Sequence, residues 1–106
     1  MRRVDEAIRE VLSEGVQDLK DPRIGFVTVT DVKTTPDLRR ARVFATVLGT
    51  TEEREATLAG LQSAHGLLQR RVARELRMKR TPTLEFLHDD TARNAARLEE
   101  ILRDEH

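Results

Sequence analysis

At 106 residues, the chain has room for one domain with a modest core, and we expect residues 1–106 to form that single domain. Its 19 basic and 19 acidic side chains cancel, which argues against a protein held to a polyanion by bulk charge alone. The chain has no cysteine, so disulfides, thiolate catalysis and cysteine-type zinc sites are excluded. No apolar run approaches the roughly 20 residues of a membrane span, and the N-terminus reaches acidic residues too soon for a secretory signal. We expect a soluble, cytoplasmic monomer whose aliphatic core contains only three large rings, Phe26, Phe44 and Phe86.

The first half of the chain predicts a helix followed by two strands. Residues 3–19 are typical of an amphipathic helix whose apolar stripe consists of Val4, Ile8, Val11, Leu12, Val16 and Leu19. Pro22 ends this helix, because the residue before a proline is driven out of the helical region. Residues 26–33 are β-branched and alternating, and residues 40–48 follow after a short turn, so the two segments predict an antiparallel hairpin. In the second strand one face consists of Ala41, Val43, Ala45 and Val47, and the other of Arg40, Arg42, Phe44 and Thr46.

The second half predicts a long helical segment, a short strand and a last helix. Thr50 and Glu53 have the spacing of a capping box, and the helical pattern that they open runs to about Lys79. Residues 83–88 predict the third strand. A C-terminal helix or tail at about 90–106 has an apolar side formed by Ala95, Leu98, Ile101 and Leu102.

The order of these elements predicts an α+β fold with a mixed three-stranded sheet. A helical crossover between the second and third strands favours their parallel pairing. Each helix has a single apolar stripe, so all of them should cover the same side of the sheet and leave the other face open.

Positive charge is concentrated in two segments. Residues 32–49 carry four basic and one acidic side chain, and residues 65–80 carry six and one. At about 100° per helical residue, one sector contains Leu58, Leu61, His65, Leu68, Val72 and Leu76. Arg70, Arg74 and Arg77 lie on the opposite side, within roughly 60° of one another. We call these three arginines, continued by Lys79 and Arg80, the basic ridge. It either forms an ordinary solvated face or contacts a phosphate backbone through bidentate guanidinium groups.

Gly66 interrupts the same helical segment. A glycine inside a helix costs about 1 kcal/mol relative to alanine, so its presence asks for a reason. Either the helix breaks near this point, or another backbone approaches a helix N-terminus there, or the glycine is simply tolerated in packing against the sheet.

Several stretches of the sequence, taken in order, resemble the ribosome-binding factor A family along nearly the whole chain. The matching segments are Asp21-Pro22-Arg23-Ile24-Gly25, Thr28-Val29-Thr30-Asp31-Val32, Pro36-Asp37-Leu38-Arg39, Ala41-Arg42-Val43, Leu61-Gln62-Ser63-Ala64-His65-Gly66-Leu67-Leu68, Arg80-Thr81-Pro82-Thr83-Leu84-Glu85-Phe86 and Asp89-Asp90-Thr91. Their order and spacing are more specific than any one of them.

The resemblance implies a type II KH-like fold in which an Ala-x-Gly kink, here Ala64-His65-Gly66, replaces the usual GxxG loop. It implies a non-catalytic factor that binds the small ribosomal subunit or its precursor and assists late rRNA processing, notably in the cold. It also implies an assembly GTPase as a further candidate partner, and no cofactor. To this implied role the distribution of positive charge adds an RNA-binding surface. Its residues are Ala64, His65, Gly66, Arg70, Arg71, Arg74, Arg77, Lys79 and Arg80, with a second basic patch of Lys33, Arg39, Arg40 and Arg42 on the hairpin. Because Arg40 stands where the family often has an aromatic residue, recognition should depend on the RNA backbone and shape more than on base stacking, for which Phe44 is the one candidate.

Other chemistry has little support in the sequence. His88, Asp89 and Asp90 point in different directions at a strand end, so we expect no metal site. Ser63 and His65 are two residues apart on a helix and do not face each other, so they do not form a nucleophile and base. On the apolar sector, His65 should be a packed core histidine. Two alternatives to the ribosomal role stay open, which are a protein-interaction module that uses an open sheet edge and a KH-like binder of another RNA.

Overall fold

The computed structural model describes residues 2–89, so the predicted C-terminal helix falls outside the described residues. The elements follow the predicted order, and the predicted fold class is confirmed. They are α1 (Arg2–Gln17), β1 (Val27–Thr34), β2 (Arg40–Val47), α2 (Thr51–Ser63), α3 (His65–Leu76) and β3 (Thr83–His88). Within this part of the chain, no helix is long and apolar enough to cross a membrane.

The sheet has β2 at its centre and β1 and β3 at its edges. β1 and β2 pair antiparallel, while β2 and β3 pair parallel, as the helical crossover between them predicts. Alternate residues of β2 are buried and exposed, beginning with buried Ala41 and exposed Arg42, so the predicted faces of this strand are confirmed.

β1 contains a β-bulge, so its side chains do not alternate as regularly as the sequence predicts. Val29 pairs with Ala45 but Asp31 pairs with Phe44, so Thr30 is an extra residue. Because side chains alternate along a strand, a regular strand would turn Asp31 inward and Val32 outward. The extra residue restores Val32 to the core, where it is 1% exposed.

The core lies between one face of the sheet and the three helices, as predicted. Its side chains are aliphatic apart from Phe86. The members buried most deeply include Ile8, Leu12, Leu61, Leu68, Leu84, Val32, Val43 and Val72. The expectation for Phe26 is wrong, because its ring is 82% exposed. Phe26 immediately precedes inward-facing Val27, and the alternation of the strand therefore turns Phe26 to the opposite side.

Side chains from α1 cover both ends of the outer edge of β1. The backbone N–H of Thr34 donates to Asp5 Oδ1 at 3.1 Å, and Gln17 Nε2 donates to the carbonyl of Val27 at 3.4 Å. These bonds occupy backbone groups that a foreign strand would need.

The outer edge of β3 is covered in the same way from α2. Gln62 donates from Nε2 to the carbonyl of Leu84 and accepts from the N–H of Phe86 at Oε1, each at 3.3 Å. One amide side chain therefore takes the place of a neighbouring strand along the middle of this edge.

Candidate nucleic-acid interface

The long helical segment breaks at Ala64, which ends α2 and begins α3. Ala64 has φ −90° and ψ 5°, and its N–H donates to the carbonyl of Gly60 at 3.1 Å. The predicted apolar sector nevertheless continues through the break, because Leu61, Leu68 and Val72 are buried and Leu58 and Leu76 pack against the core. His65 is the exception in this sector, because it is exposed and not a core residue, and its Nδ1 lies 2.7 Å from the carbonyl oxygen of Gln62.

The surroundings of Gly66 are open. A Cβ added there would meet only Arg70 Nη1, at 3.8 Å, which is ordinary contact. A Cβ added at Gly60 would lie 2.8 Å from Ile24 Cγ1, so packing requires a glycine at that position. Packing within the described residues therefore does not account for Gly66. It stands in the first turn of α3, which follows α2 with only Ala64 between them and has no side-chain cap.

The basic ridge begins on α3 and continues beyond it. Arg70 and Arg74 are exposed on the helix, and within residues 2–89 neither forms an ion pair. The predicted helical run to Lys79 is too long, because α3 ends at Leu76. Arg77 caps it in the left-handed conformation, with φ 51° and ψ 42°, so the third arginine of the ridge belongs to a helix cap.

Arg71 differs from the ridge arginines next to it. Its Nη1 donates to Asp18 Oδ2 at 2.6 Å, and Nη2 lies 3.8 Å from Glu14 Oε2, both on or just after α1. Its Nε lies 3.4 Å from Glu75 Oε1, close enough for an ion pair although not aligned for a hydrogen bond. The hydrogen bond to Asp18 is the main cause that raises the pKa of Arg71. Arg71 therefore joins α1 to α3, and its charge is already balanced.

A groove between α1 and α3 runs beside the ridge. Gly15 permits the two helices to approach closely, because a Cβ there would lie 2.9 Å from Leu68 Cδ2. The groove has a volume of about 260 Å³, and Leu67, Arg70 and Arg74 line its α3 side. Leu67 is 55% exposed, so this wall presents an apolar surface between cations.

The hairpin patch meets the far end of the ridge. Arg39 and Arg80 line one cavity of about 560 Å³, and the N–H of Thr83 donates to the carbonyl of Arg39 at 2.8 Å. Arg39 also lies 4.0 Å from the carboxylate of Asp37, a loose contact between two exposed groups. The parallel pairing of β2 with β3 thus joins two cationic segments that the sequence separates.

The remaining hairpin cations lie on the open face of the sheet. Lys33 and Arg42 are paired residues on neighbouring strands, and Glu85 pairs with Arg42 from the other side. Like charges across a strand pair repel, and Glu85 offsets part of that repulsion. Arg40 is exposed at the start of β2, where it pairs with Thr83. Phe44 is partly buried on this face, which leaves less of its ring open to a stacking base.

Comparison with known proteins identifies the family of this chain. A family model described as ribosome-binding factor A matches residues 1–102. The chain belongs to the ribosome-binding factor A family. Family members include proteins of Beutenbergia cavernae, 48% identical over 103 residues, and of Geotalea daltonii, 43% identical over 103 residues. These alignments cover 96% of this chain, and 65% and 84% of the respective relatives. The chain thus spans slightly less than two thirds of the Beutenbergia relative, and 63% of a Clavibacter michiganensis relative.

Solved structures of the family share the fold. The crystal structure of ribosome-binding factor A from Thermus thermophilus matches with a TM-score of 0.74 at 31% identity, covering 82% of this chain and 93% of that one. A solution structure of a ribosome binding factor A protein from Thermotoga maritima matches with a TM-score of 0.77 at 35% identity, covering 85% and 87%. A homology model of Thermus thermophilus ribosome binding factor A, as fitted into a cryo-EM map of a 30S complex, matches with a TM-score of 0.69 at 32% identity, covering 80% of this chain and 90% of that one. The likeness is consistent with the predicted KH-like arrangement.

One surface feature of this family member was missed in the sequence. Phe26 and Leu48 are 82% and 71% exposed, and we call them the Phe26–Leu48 patch. The alternation of side chains along the strands could have predicted this exposure, because Phe26 and Leu48 each flank an inward-facing valine, Val27 and Val47. Among the residues that the structure describes, no cluster of three or more His, Asp or Glu side chains could hold a metal ion.

Proposed function

We propose that the protein binds the small ribosomal subunit or its precursor by non-catalytic contacts with rRNA. Family membership supports this role, as does the related Thermus thermophilus protein that was fitted into a 30S complex. The observation that carries the proposal is the pair Arg70 and Arg74, exposed on α3 beside the open first turn at Gly66. Cations without carboxylate partners within residues 2–89 are available to phosphates, whereas Arg71 is not.

The arrangement favours recognition of an RNA backbone. Guanidinium groups offer bidentate contacts to phosphate oxygens, and Arg70 and Arg74 present two of them on consecutive turns of α3. The ridge leads along α3 towards Arg80 and from there to Arg39, so one RNA segment could contact both basic surfaces. We propose Ala64, His65, Gly66, Arg70, Arg74, Arg77, Lys79 and Arg80, with Lys33, Arg39, Arg40 and Arg42, as its contacts.

The finer parts of the role follow from the family and belong to the same proposal. We propose that binding assists late maturation of small-subunit rRNA, notably in the cold. We also propose that the protein acts in the cytoplasm as a monomer, with an assembly GTPase as a further partner. The direct check is a gradient profile of cells that lack the protein. Accumulation of unprocessed small-subunit rRNA at low temperature is expected, and a normal profile at all temperatures would remove the maturation role.

Binding itself is tested by charge reversal on α3. The variant Arg70→Glu/Arg74→Glu should no longer co-sediment with small subunits. A matched variant, Arg3→Glu/Arg9→Glu on α1, carries the same change in net charge and should still co-sediment. Equal loss in both variants would show that only net charge matters, and unchanged association of the first would exclude the ridge from binding.

Covered sheet edges weigh against the protein-interaction alternative. Asp5 and Gln17 occupy backbone groups of β1, and Gln62 occupies those of β3. Strand addition would first have to break these bonds. If the protein nevertheless self-associates in a salt-insensitive way and purifies without RNA, the alternative gains support. Binding to a different RNA is separated from the ribosomal role by normal rRNA precursors in cells lacking the protein.

A further inference from the structure

The Phe26–Leu48 patch is the most exposed pair of large apolar side chains within residues 2–89. The two residues are neighbours, since the N–H of Leu48 donates to the carbonyl of Phe26 at 3.0 Å. Two cavities adjoin the pair, of about 540 and 380 Å³, and both are lined by Phe26 and Leu48. The ring of Phe26 is therefore open to a flat partner from either side of the loop.

Hydrogen bonds fix the position of the loop that carries Phe26. Thr57, which is 1% exposed on α2, accepts from the N–H of Gly25 at 3.1 Å and donates to the carbonyl of Arg23 at 3.2 Å. Asp21 adds bonds to the backbone N–H and the guanidinium of Arg23 at 2.6–3.1 Å. A ring presented on a fixed loop loses little conformational entropy when it binds, which favours a functional contact.

The patch is connected to the basic surface on α3. Leu19, just beyond the end of α1, lines both the 540 Å³ cavity beside Phe26 and the groove that Arg70 and Arg74 line. The nearby Ile24 packs against Gly60, close to the break at Ala64. Leu19 therefore links the cavity beside the ring to the groove beside Arg70 and Arg74.

We propose that Phe26 stacks against an unpaired base of the RNA whose phosphates contact Arg70 and Arg74, with Leu48 beside it. This inference rests on the proposed function and adds a base contact to a surface otherwise suited to the backbone. Aromatic rings next to cationic grooves bind single-stranded RNA in this way, because every base has a π face.

The chain contains no Trp and no Tyr, so Phe26→Trp introduces the only tryptophan. We expect its fluorescence to be quenched at least twofold by a ten-nucleotide single-stranded RNA and by small subunits. Quenching by the same RNA paired with its complement should be much weaker. Glu10→Trp places the reporter at an exposed position on α1 and should show no quenching.

Affinity for the single-stranded RNA provides the second measurement. Phe26→Ala should weaken binding by about fivefold or more, as loss of one stacked base does, and Phe26→Tyr should restore it. Phe26→Leu separates the two chemistries, because leucine keeps an apolar side chain but has no π face. It should resemble Phe26→Ala if a base binds. Since the ring is exposed, all three variants should keep the Tm of the unaltered protein.

The outcomes distinguish this inference from the proposed function. The tryptophan emission of Phe26→Trp could shift to the blue without quenching when small subunits are added, while Phe26→Leu binds with full affinity. Together these results would mean that the ring contacts a protein, and they would overturn base stacking. Unchanged affinity in Phe26→Ala would overturn it as well. If either occurs while Arg70→Glu/Arg74→Glu loses subunit binding, the proposed function stands and the stacking contact falls. If the double variant still binds, the ridge is excluded from binding and the stacking contact, which rests on it, falls as well. The proposed function itself fails if the unaltered protein does not co-sediment with small subunits.

Discussion

Replacing Arg70 and Arg74 by glutamine should flatten the salt dependence of RNA binding by a calculable amount. Each arginine that contacts a phosphate contributes about 0.7 to the slope of log K against log salt for single strands and about 0.9 for duplexes. Two lost contacts should reduce the slope by about 1.4–1.8. Between about 50 and 200 mM salt, the unaltered protein should then lose about 7- to 12-fold more affinity than the double variant.

Arg71→Gln is the matched control for this experiment. It removes the same kind of charge from the same helix, but the side chain it replaces is paired with Asp18 and Glu75. We expect a lower Tm from loss of the contact between α1 and α3, with the salt slope unchanged. The assay is fluorescence anisotropy of a labelled fragment of small-subunit rRNA across a salt series. Equal slopes for the unaltered protein and Arg70→Gln/Arg74→Gln, or a reduced slope for Arg71→Gln alone, would refute the reasoning.

Four further predictions test the elements that present the basic ridge and the loop of Phe26. Gly66→Ala should keep or raise the Tm, because the added methyl group has space, yet weaken subunit binding in pelleting assays. Gly60→Ala should lower the Tm, because its methyl group would meet a side chain of the adjoining loop at 2.8 Å, and the reverse ranking would contradict this packing. Thr57→Val should lower the free energy of unfolding, measured in urea, by about 1–3 kcal/mol, because it leaves buried polar groups unpaired. Thr57→Ser loses only a methyl group and should cost about 1 kcal/mol. Equal losses in the two variants would exclude a role for the hydroxyl. The hydrogen bond from Arg23 lowers the pKa of Asp21, so the stability it contributes is complete above the unfolded pKa of about 4 and is lost as the pH falls through the lower folded value. The Tm difference between the protein and Asp21→Asn should therefore be constant from about pH 7 to 5 and shrink below about pH 4, and a difference that grows in acid would contradict this sign.

Local patterns in the sequence were sufficient for most of the architecture. The capping box of Thr50 and Glu53 forms as predicted, with bonds of 3.1 and 3.2 Å. The faces of β2 and the parallel pairing of β3 were also predicted correctly. These features depend on residues within a few positions of one another or on the small set of permitted strand connections. Even the bulge in β1 had a signal, the change from a two-residue to a three-residue spacing between Val29 and Val32.

Helical periodicity by itself gave the wrong placement for two residues of the candidate site. It placed His65 in the core and Arg77 on the helix beside Arg74, but His65, which follows the break at Ala64, is exposed and Arg77 is a helix cap. The residues after the break keep their predicted phase, since Leu68 and Val72 are buried and Leu76 packs against the core. The assignment of RNA contacts to these residues remains a prediction, although their exposure agrees with it.

The sequence by itself determined the order of the elements, the faces of the strands and the two segments rich in positive charge, because each follows from composition and short-range periodicity. Only the tertiary structure decided which of those charges are available. Arg71 meets Asp18 across 53 positions of the chain, and Arg80 reaches Arg39 through the pairing of β3 with β2. Such contacts arise from the approach of separate elements in space, and no periodicity along the chain encodes them. The exposure of Phe26 follows from the alternation of β1, whereas the bonds by which Thr57 holds its loop are contacts that only the tertiary structure shows.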